Sequence, residues 1–333
     1  DRVAHGWGIE RQELACNRCA ARTTVSSDML THTCPFCGSN QVVQVKAPQD
    51  ALRPRFLVPF TVTEDGCREK TAVWLADTWL APKELQKFAH HSNYTPIYIP
   101  FWTFDADTHA NWRAEVAHTR TVTTGHGKNR RTRTETTWKW ESGNVHVNID
   151  DLLVNGSNQV STVLLEQMQG YNMDDLTPYD PTFLAGIQAQ AYDTGLDEAW
   201  ATGRGQMRER TRTACRADAT SQRMRNFSMS LEFTDESWRY ILLPLYLATY
   251  NYENEAYQVM VNGQNGIIAG QRPVAWKKVI GAMVLSLLPS FILGLIALLF
   301  SVPAAGGLAM VTMMAAMVFI GITLNKASKM GKA

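Results

Sequence analysis

The chain has few cysteines, almost no net charge, and none of the short signatures of common hydrolases or phosphotransferases. Six cysteines in 333 residues are too few for a disulfide framework. Four of them form two close pairs while Cys67 and Cys215 stand alone, which suits a reducing compartment and a metal site. Lysine and arginine total 32 against 31 acidic residues, so bulk charge gives no attraction to nucleic acid or acidic lipid. A P-loop needs GxxxxGK(S/T), whose amides and lysine cradle phosphates. The nearest candidate, Gly127-Lys128, is followed by Asn129 and has Val122 where the first glycine belongs. GxSxG and HExxH are also missing, and the eight histidines are scattered apart from His90-His91. The expectation is a protein that is not an enzyme. No secretory leader precedes the body, which agrees with a cytoplasmic location, and a start at Asp1 rather than Met suggests part of a longer chain.

Charge is missing most conspicuously near the carboxy terminus. Val279 to Val302 is a run of 24 residues without an ionisable group, and Leu308 to Leu324 is a second apolar run. A hydrocarbon core about 30 Å thick needs roughly 20 helical residues to cross it. Pro303-Ala304-Ala305-Gly306-Gly307 between the runs reads as a tight turn, so the tail predicts a transmembrane helical hairpin. Lys277 and Lys278 precede it, and Lys326, Lys329 and Lys332 follow, while the turn is uncharged. The positive-inside bias then puts both ends and the upstream region in the cytoplasm. Trp276, beside two lysines, fits an interfacial anchor.

Among the residues that are present, Cys16-Asn17-Arg18-Cys19 and Cys34-Pro35-Phe36-Cys37-Gly38 carry the clearest chemistry. Each CxxC turns two thiolates toward one ion, and two such knuckles joined by a short hairpin complete the closed S₄ shell preferred by structural Zn²⁺. Cys16, Cys19, Cys34 and Cys37 are therefore the candidate ligands of one zinc, with no position left for a catalytic water. Gly38 suits a sharp knuckle exit. Arg18 and Arg22 are placed to offset the thiolate charge, and His32 is a nearby competing ligand that reads better as a surface residue. Redox chemistry at either pair is the weaker reading.

Patterning predicts an α+β fold class with three parts: a small zinc ribbon (residues 1–46), a mixed α+β cytoplasmic body (47–275), and the hairpin with a short tail (276–333). Lys46 to Asp50 looks like a linker. Arg53 to Phe60 reads as a strand bounded by prolines. Glu64 to Leu80, with Val73, Trp74, Trp79 and Leu80 apolar, reads as a helix, and another starts near Pro82. Tyr94 to Asp105 reads as extended. Asp107 to Ile149 reads as a hairpin with its tip at Gly125–Asn129. Helices are expected at Asn158–Gln169 and Leu196–Ala219, and strands from Asn226 to Gly270 ending in a hairpin at Asn262–Gly266.

Two basic stretches could meet anions: Arg120, Lys128, Arg130, Arg131 and Arg133 at the hairpin tip, and Arg204, Arg208, Arg210, Arg212, Arg216, Arg223 and Arg225. A solvated face is the plain reading of both; acidic protein or lipid comes next, then nucleic acid. Asp105 and Asp107 share a strand face and could act as acid and base or hold a cation, but solvated carboxylates are the plain reading. Asp150-Asp151 and Asp174-Asp175 look like caps. The aromatics of Tyr94–Trp112 and Tyr246–Tyr257 read as core.

Several strings occur in a fixed order: Cys34-Pro35-Phe36-Cys37-Gly38, Leu52-Arg53-Pro54, Pro100-Phe101-Trp102-Thr103-Phe104-Asp105-Ala106, Tyr179-Asp180-Pro181, Leu243-Pro244-Leu245-Tyr246, Val261-Asn262-Gly263-Gln264-Asn265-Gly266 and Ala269-Gly270-Gln271-Arg272-Pro273. This order, over nearly the whole chain, resembles the bacterial membrane proteins described as a TFIIB-type zinc ribbon or, misleadingly, as a primosomal replication helicase. The resemblance implies a bacterial inner-membrane protein that recruits phage-shock-protein-A-like or SPFH (flotillin-like) partners, within a homo- or hetero-oligomer. Members usually carry a further amino-terminal zinc ribbon; either it lies upstream of Asp1 or this chain lacks it. The expected function is a zinc-binding scaffold or adaptor in membrane stress or remodelling, in contact with membrane lipids. The alternatives are a membrane-tethered nucleic-acid-binding ribbon protein, for instance in phage defence, and a membrane hydrolase with an unrecognised site.

Overall fold

The computed structural model describes residues 6–8, 11–26, 33–45, 51–124, 131–168, 170–253, 255–300 and 303–330. His32, the linker at 46–50 and the basic hairpin tip at 125–130 lie outside them. The elements in order are β1 (Arg11–Cys16), β2 (Arg22–Ser26), β3 (Val42–Val45), β4 (Phe56–Leu57), α1 (Glu64–Ala76), α2 (Leu85–His91), β5 (Thr95–Thr124) and β6 (Arg131–Asn155). Then follow α3 (Thr162–Gln167), β7 (Thr177–Pro178), β8 (Gln188–Ala189), α4 (Leu196–Asp218), β9 (Met224–Tyr252), β10 (Glu255–Asn262), β11 (Ile268–Gly270), α5 (Trp276–Phe300) and α6 (Pro303–Met330). The fold is mixed α and β, with a cluster of four cysteines near its start and a pair of apolar helices at its end.

Three very long strands dominate. β5 has 30 residues, β6 has 25 and β9 has 29. At about 3.3 Å per residue, β5 follows a path of roughly 100 Å. The segments before and after Asp105, which read as separate units, are one strand flanked antiparallel by β6 and β9. Two-residue alternation organises its outer half. Ala110, Trp112, Ala114 and Val116 are buried on one face with Cys215 of α4, while His109, Asn111 and Arg113 are exposed on the other. α4 covers the first face with Ala199, Gly203, Met207, Thr211 and Cys215, a strict four-residue spacing that makes one stripe. Thr211 meets Thr108 hydroxyl to hydroxyl at 2.9 Å, and Trp112 Nε1 donates to Asp218 at 2.9 Å.

Near its base the sheet is buried on both faces. Ile97, Ile99 and Phe101 point into one core with Leu243, Leu245 and Met260, and Tyr98, Trp102 and Phe104 point into the opposite core with Tyr240 and Leu242. A third core gathers Cys67, Leu75 and Leu80 with Tyr246, Val259, Val279 and Met330. The aromatic segments are thus packed, as their composition predicts. The sheet runs β11-β10-β9-β5-β8-β2-β1-β3, so the cysteine-bearing strands join the body through the Thr24–Ala189 pair.

Several boundaries differ from the sequence reading. Asp150-Asp151 are not caps; they form an irregularity in β6 opposite Asp105, and Asp151 takes φ 49°. β9 has two similar irregularities, at Asp235 (φ 52°) and Asn226 (φ 53°). Asp and Asn tolerate this left-handed backbone better than other side chains, so each marks a bulge that lets a long strand bend. Asp174-Asp175 do lie in a short helical turn, where the Asn172 side chain caps Asp174 N. Val73 is exposed, and α1 buries Cys67, Thr71 and Leu75 instead. α3 starts only at Thr162, with Ser161 accepting from Leu164 N. Pro303 to Gly307 is not a turn but the first part of α6, where Pro303 occupies a position whose missing N–H costs nothing.

At the bulge in β6, Asp105 accepts from Asp151 N (2.9 Å), Ser237 Oγ (2.8 Å) and Arg239 Nη2 (3.2 Å), and the same Nη2 reaches Asp151 at 2.5 Å. Burial alone would raise Asp105, but these donors hold its carboxyl below the usual range. Asp151 has fewer donors and acidic neighbours, and burial pushes it up.

Two expectations follow. Gly203→Ala gains about 1 kcal/mol of helix propensity, but its Cβ would stand 2.8 Å from Phe104 Cδ2. Overpacking costs about 1–3 kcal/mol, so this variant should be neutral to destabilised. Gly205→Ala meets nothing within 4 Å and should stabilise by about 1 kcal/mol. The urea midpoint of Gly205→Ala should rise, and that of Gly203→Ala should stay level or fall. Arg239→Met strands two carboxylates whose side chains are only 21–23% exposed. The loss should be roughly 2–4 kcal/mol at neutral pH, below the fully buried case. It should shrink as pH falls and the carboxyls become neutral, because a depressed Asp105 stabilises the native chain only above its folded pKa. A pH-independent deficit in denaturation curves would contradict this charge assignment.

Candidate metal centre

β1 ends at Cys16, and the turn beyond it returns as β2. Cys16 N donates to Ala21 O (2.9 Å), and Ala20 N donates to Cys16 O (2.9 Å). The second turn repeats this pattern: Cys34 N donates to Ser39 O (2.8 Å) and Gly38 N to Cys34 O (2.9 Å). Both turns close on a left-handed residue, Ala20 at φ 61° and Gly38 at φ 68°. Glycine adopts this freely, whereas alanine costs about 1–2 kcal/mol. The exit at Gly38 is therefore legible in the sequence and the one at Ala20 is not. β3 pairs with β1 through Cys16–Val42, which brings the second turn against the first.

The four sulfurs converge. Cys16 Sγ lies 3.6 Å from Cys37 Sγ, Cys19 Sγ lies 3.6 Å from Cys34 Sγ, and all four fall within 4.8 Å of one another. A tetrahedral shell with metal–sulfur bonds of about 2.3 Å has edges of about 3.8 Å, so one ion of that size fits between them. Cys16 and Cys34 are buried and Cys19 and Cys37 half-buried. Burial pushes the Cys34 and Cys19 thiols up. Cys16 is brought down to about 7: its burial is outweighed by the backbone N–H groups of Cys19 and Arg18 and by neighbouring thiols. Cys16 is thus a readier thiolate than Cys19 or Cys34, which must lose protons as ligation proceeds.

Arg22 sits 3.8 Å from Glu13, whose side chain is almost fully buried. Arg18 contributes its backbone N–H, 3.4 Å from Cys16 Sγ. The unit is seated on the body by apolar contact. Cys16, Ala21, Cys34 and Phe36 share a core with Val58, Ile97 and Leu243, and Gln258 Nε2 donates to Phe36 O at 3.3 Å.

A second acidic group, Asp105, Asp150 and Asp151, brings its oxygens together, but Arg239 already supplies the cation at its centre. Asp107 shares the strand face of Asp105 and is engaged by Asn148 (2.8 Å) and His146 (3.3 Å). Arg239, the residue that organises this cluster, carries no sequence signal, since no motif surrounds it. The Arg-rich segment is largely bound within the chain. Arg204 forks onto Glu236 and lies 5.4 Å from the Trp200 ring centroid; Arg225 joins Glu115 and lies 4.6 Å from that of Trp138. Arg212 pairs with Glu209 and is half-buried, and Arg216 lies over Phe227. Arg208, Arg210 and Arg223 are exposed, with no ion pair among the described residues. At the hairpin, Arg133 pairs with Glu135.

α5 and α6 lie side by side and are long and apolar enough to cross a membrane. A core helix of a globular domain would be mostly buried, whereas here Leu285, Phe291, Leu298 and Met310 are 66–78% exposed. Trp276 is exposed at the start of α5.

The chain is similar to Uncharacterized protein YdjG of Bacillus subtilis (strain 168), with 24% identity over 233 residues. The match covers 68% of this chain and 66% of that protein, so the chain spans just under two thirds of its relative's length. No protein-family model and no solved structure matches the chain.

Proposed function

We propose that this chain is a bacterial membrane-anchored scaffold, built on a structural zinc ribbon, that holds membrane-stress or membrane-remodelling partners at the cytoplasmic face. The observation that carries the reading is how the apolar helices join the body. At 1.5 Å per residue, α5 and α6 would each measure roughly 40 Å, enough for a hydrocarbon core of about 30 Å. No flexible linker separates them from the fold. Ala275 N donates to Leu80 O (2.7 Å), Lys278 Nζ to Ala81 O (2.9 Å) and Arg272 N to Met330 O (3.4 Å). The Arg272 guanidinium donates to Trp74 O (2.9 Å) and stacks 4.3 Å from the Trp74 ring centroid. Val279 and Met330, one from each helix, are buried in the core of α1 and α2. Such an anchor fixes the body's orientation to the bilayer, as a recruiting platform requires. The long strands then carry His109, Arg113, Glu115 and Trp140 away on the face opposite α4.

The role assigned to zinc is to hold Cys16, Cys19, Cys34 and Cys37 as thiolates and so to staple two turns that have little core of their own. The reading is non-enzymatic. The nucleic-acid alternative is weakened by the internal pairing of Arg204, Arg212 and Arg225, which leaves those guanidinium groups less charge for a phosphate backbone.

Three tests bear on it. Metal analysis of the purified chain should give one zinc per chain. Cys34→Ser should lose it and open residues 11–45 to protease while the β signal of the body persists; a metal-free native protein would remove the ribbon from the proposal. For topology, an impermeant maleimide applied to intact cells should label Gly306→Cys and spare Lys329→Cys, and the reverse pattern would invert the assignment. Finally, the full chain captured from native membranes should bring down a phage-shock-protein-A-like or SPFH protein. Recovery of nucleic acid instead, lost steeply with added salt, would favour the alternative.

A further inference from the structure

The loop between α1 and α2 and the first turns of α5 enclose a cleft of about 670 Å³. Its lining is amphipathic. Lys83 and Lys278 line it beside Trp79, and Leu75 and Pro82 add apolar surface. Lys278, Ala282 and Leu285 also line it, and their spacing of four and then three residues puts them on one stripe of α5. The lining therefore passes from an ammonium near the start of that helix to apolar side chains further along it, where Leu285 is largely bare.

Among the described residues, no acidic side chain lines the cleft. Asp77, in the same loop, acts on Arg272 instead. Lys278 gives one donor to Ala81 O at 2.9 Å, which holds its ammonium at the cleft with donors to spare. Lys83 is exposed and makes no ion pair among the described residues. Trp79 and Trp276 are both about half exposed near these lysines in the chain, and amphipathic indoles favour the headgroup level of a bilayer.

A site that is cationic at one end, apolar at the other and continuous with a membrane-crossing helix matches a single class of ligand. We propose that this cleft binds one acidic phospholipid, with its phosphate between Lys83 and Lys278 and an acyl chain along Ala282 and Leu285. The proposal rests on the membrane-anchor reading above. The lipid would extend the contact between α5 and the α1–α2 loop, so acidic membranes would favour the docked anchor.

The full chain, reconstituted in nanodiscs of phosphatidylcholine with a minority of phosphatidylglycerol, is extracted gently and its retained lipids are identified by native mass spectrometry. The expected result is one phosphatidylglycerol per chain. Lys83→Gln should lower its retention roughly fivefold, the effect of one lysine near a bilayer surface, and Lys83→Glu should lower it further. Lys139→Gln, an exposed position in β6, should change nothing, and thermal midpoints of all variants should stay equal. Equal retention of both lipids, or an unchanged Lys83→Glu variant, would overturn the site. Displacement of the lipid by inorganic phosphate alone would also overturn it, by showing an anion site without lipid selectivity. A chain that fails to enter the discs sinks the anchor and the site together; one that enters without preference sinks the site only.

Discussion

The pairing of β5 with β9 near their shared base is the contact on which the other parts depend. Over Thr95 to Asp105 the strand is hydrogen bonded to Leu247 through Ser237, and its side chains are buried on both faces. Fully burying a large apolar side chain contributes about 1.5–3 kcal/mol, and Ile97, Tyr98, Ile99, Trp102 and Phe104 are each essentially inaccessible. One face receives the four-cysteine unit and α3, and the other receives α4 with the Tyr192 segment. β9 passes the same arrangement to β10, whose Val259 and Val261 seat α1, α2 and the ends of the apolar helices. A cavity in this base would loosen the four-cysteine unit, the long strands and the seat of α5 and α6 at once.

Strands this long need relief from their own twist, and short polar side chains provide it. Asp151, Asn226 and Asp235 adopt left-handed backbone at three places where the register shifts. Charge is then settled locally. Arg239 lies between Asp105 and Asp151, Arg204 takes Glu236 beside Asp235, and Arg225 takes Glu115 beside Asn226. Each irregularity thus has an arginine near it, and two of these, Arg204 and Arg225, belong to the stretch that suggested an anion-binding surface.

The sequence announced what repeats and concealed what interrupts. Alternation at Trp112, Ala114 and Val116 marked a strand, and the paired cysteines marked their own meeting point. The length of β5 was hidden because Pro96, Pro100, Asp105 and Asp107 look like breaks. Both prolines lie within the paired strand, opposite Tyr246 and Leu242, and a bulge on a neighbour absorbs the carboxylates. Pro303 and the glycines after it resembled a loop for the same reason, yet proline at a helix start is compatible with helix. Ala20 and Arg239 gave no signal because their roles depend on backbone angle and on distant partners, which one-dimensional spacing does not encode.

The joining of α5 and α6 to the body has a mechanical consequence. A flexible tether would let the sheet sample every orientation, and a partner would gain only local concentration from it. Here α5 and α6 are held at their base by Val279 and Met330 and by the backbone of Leu80, Ala81 and Arg272. Tilting the body therefore requires tilting the helices or breaking buried contacts. If the helices cross a bilayer, the long strands leave its surface at a fixed angle and present one face consistently. A force or change in thickness felt by the helices would reach α1 and α2 directly, and through Tyr246 and Val259 the base of the sheet. On the proposed reading of α5 and α6 as membrane spans, that continuity suits a platform held in one orientation better than a passive tether.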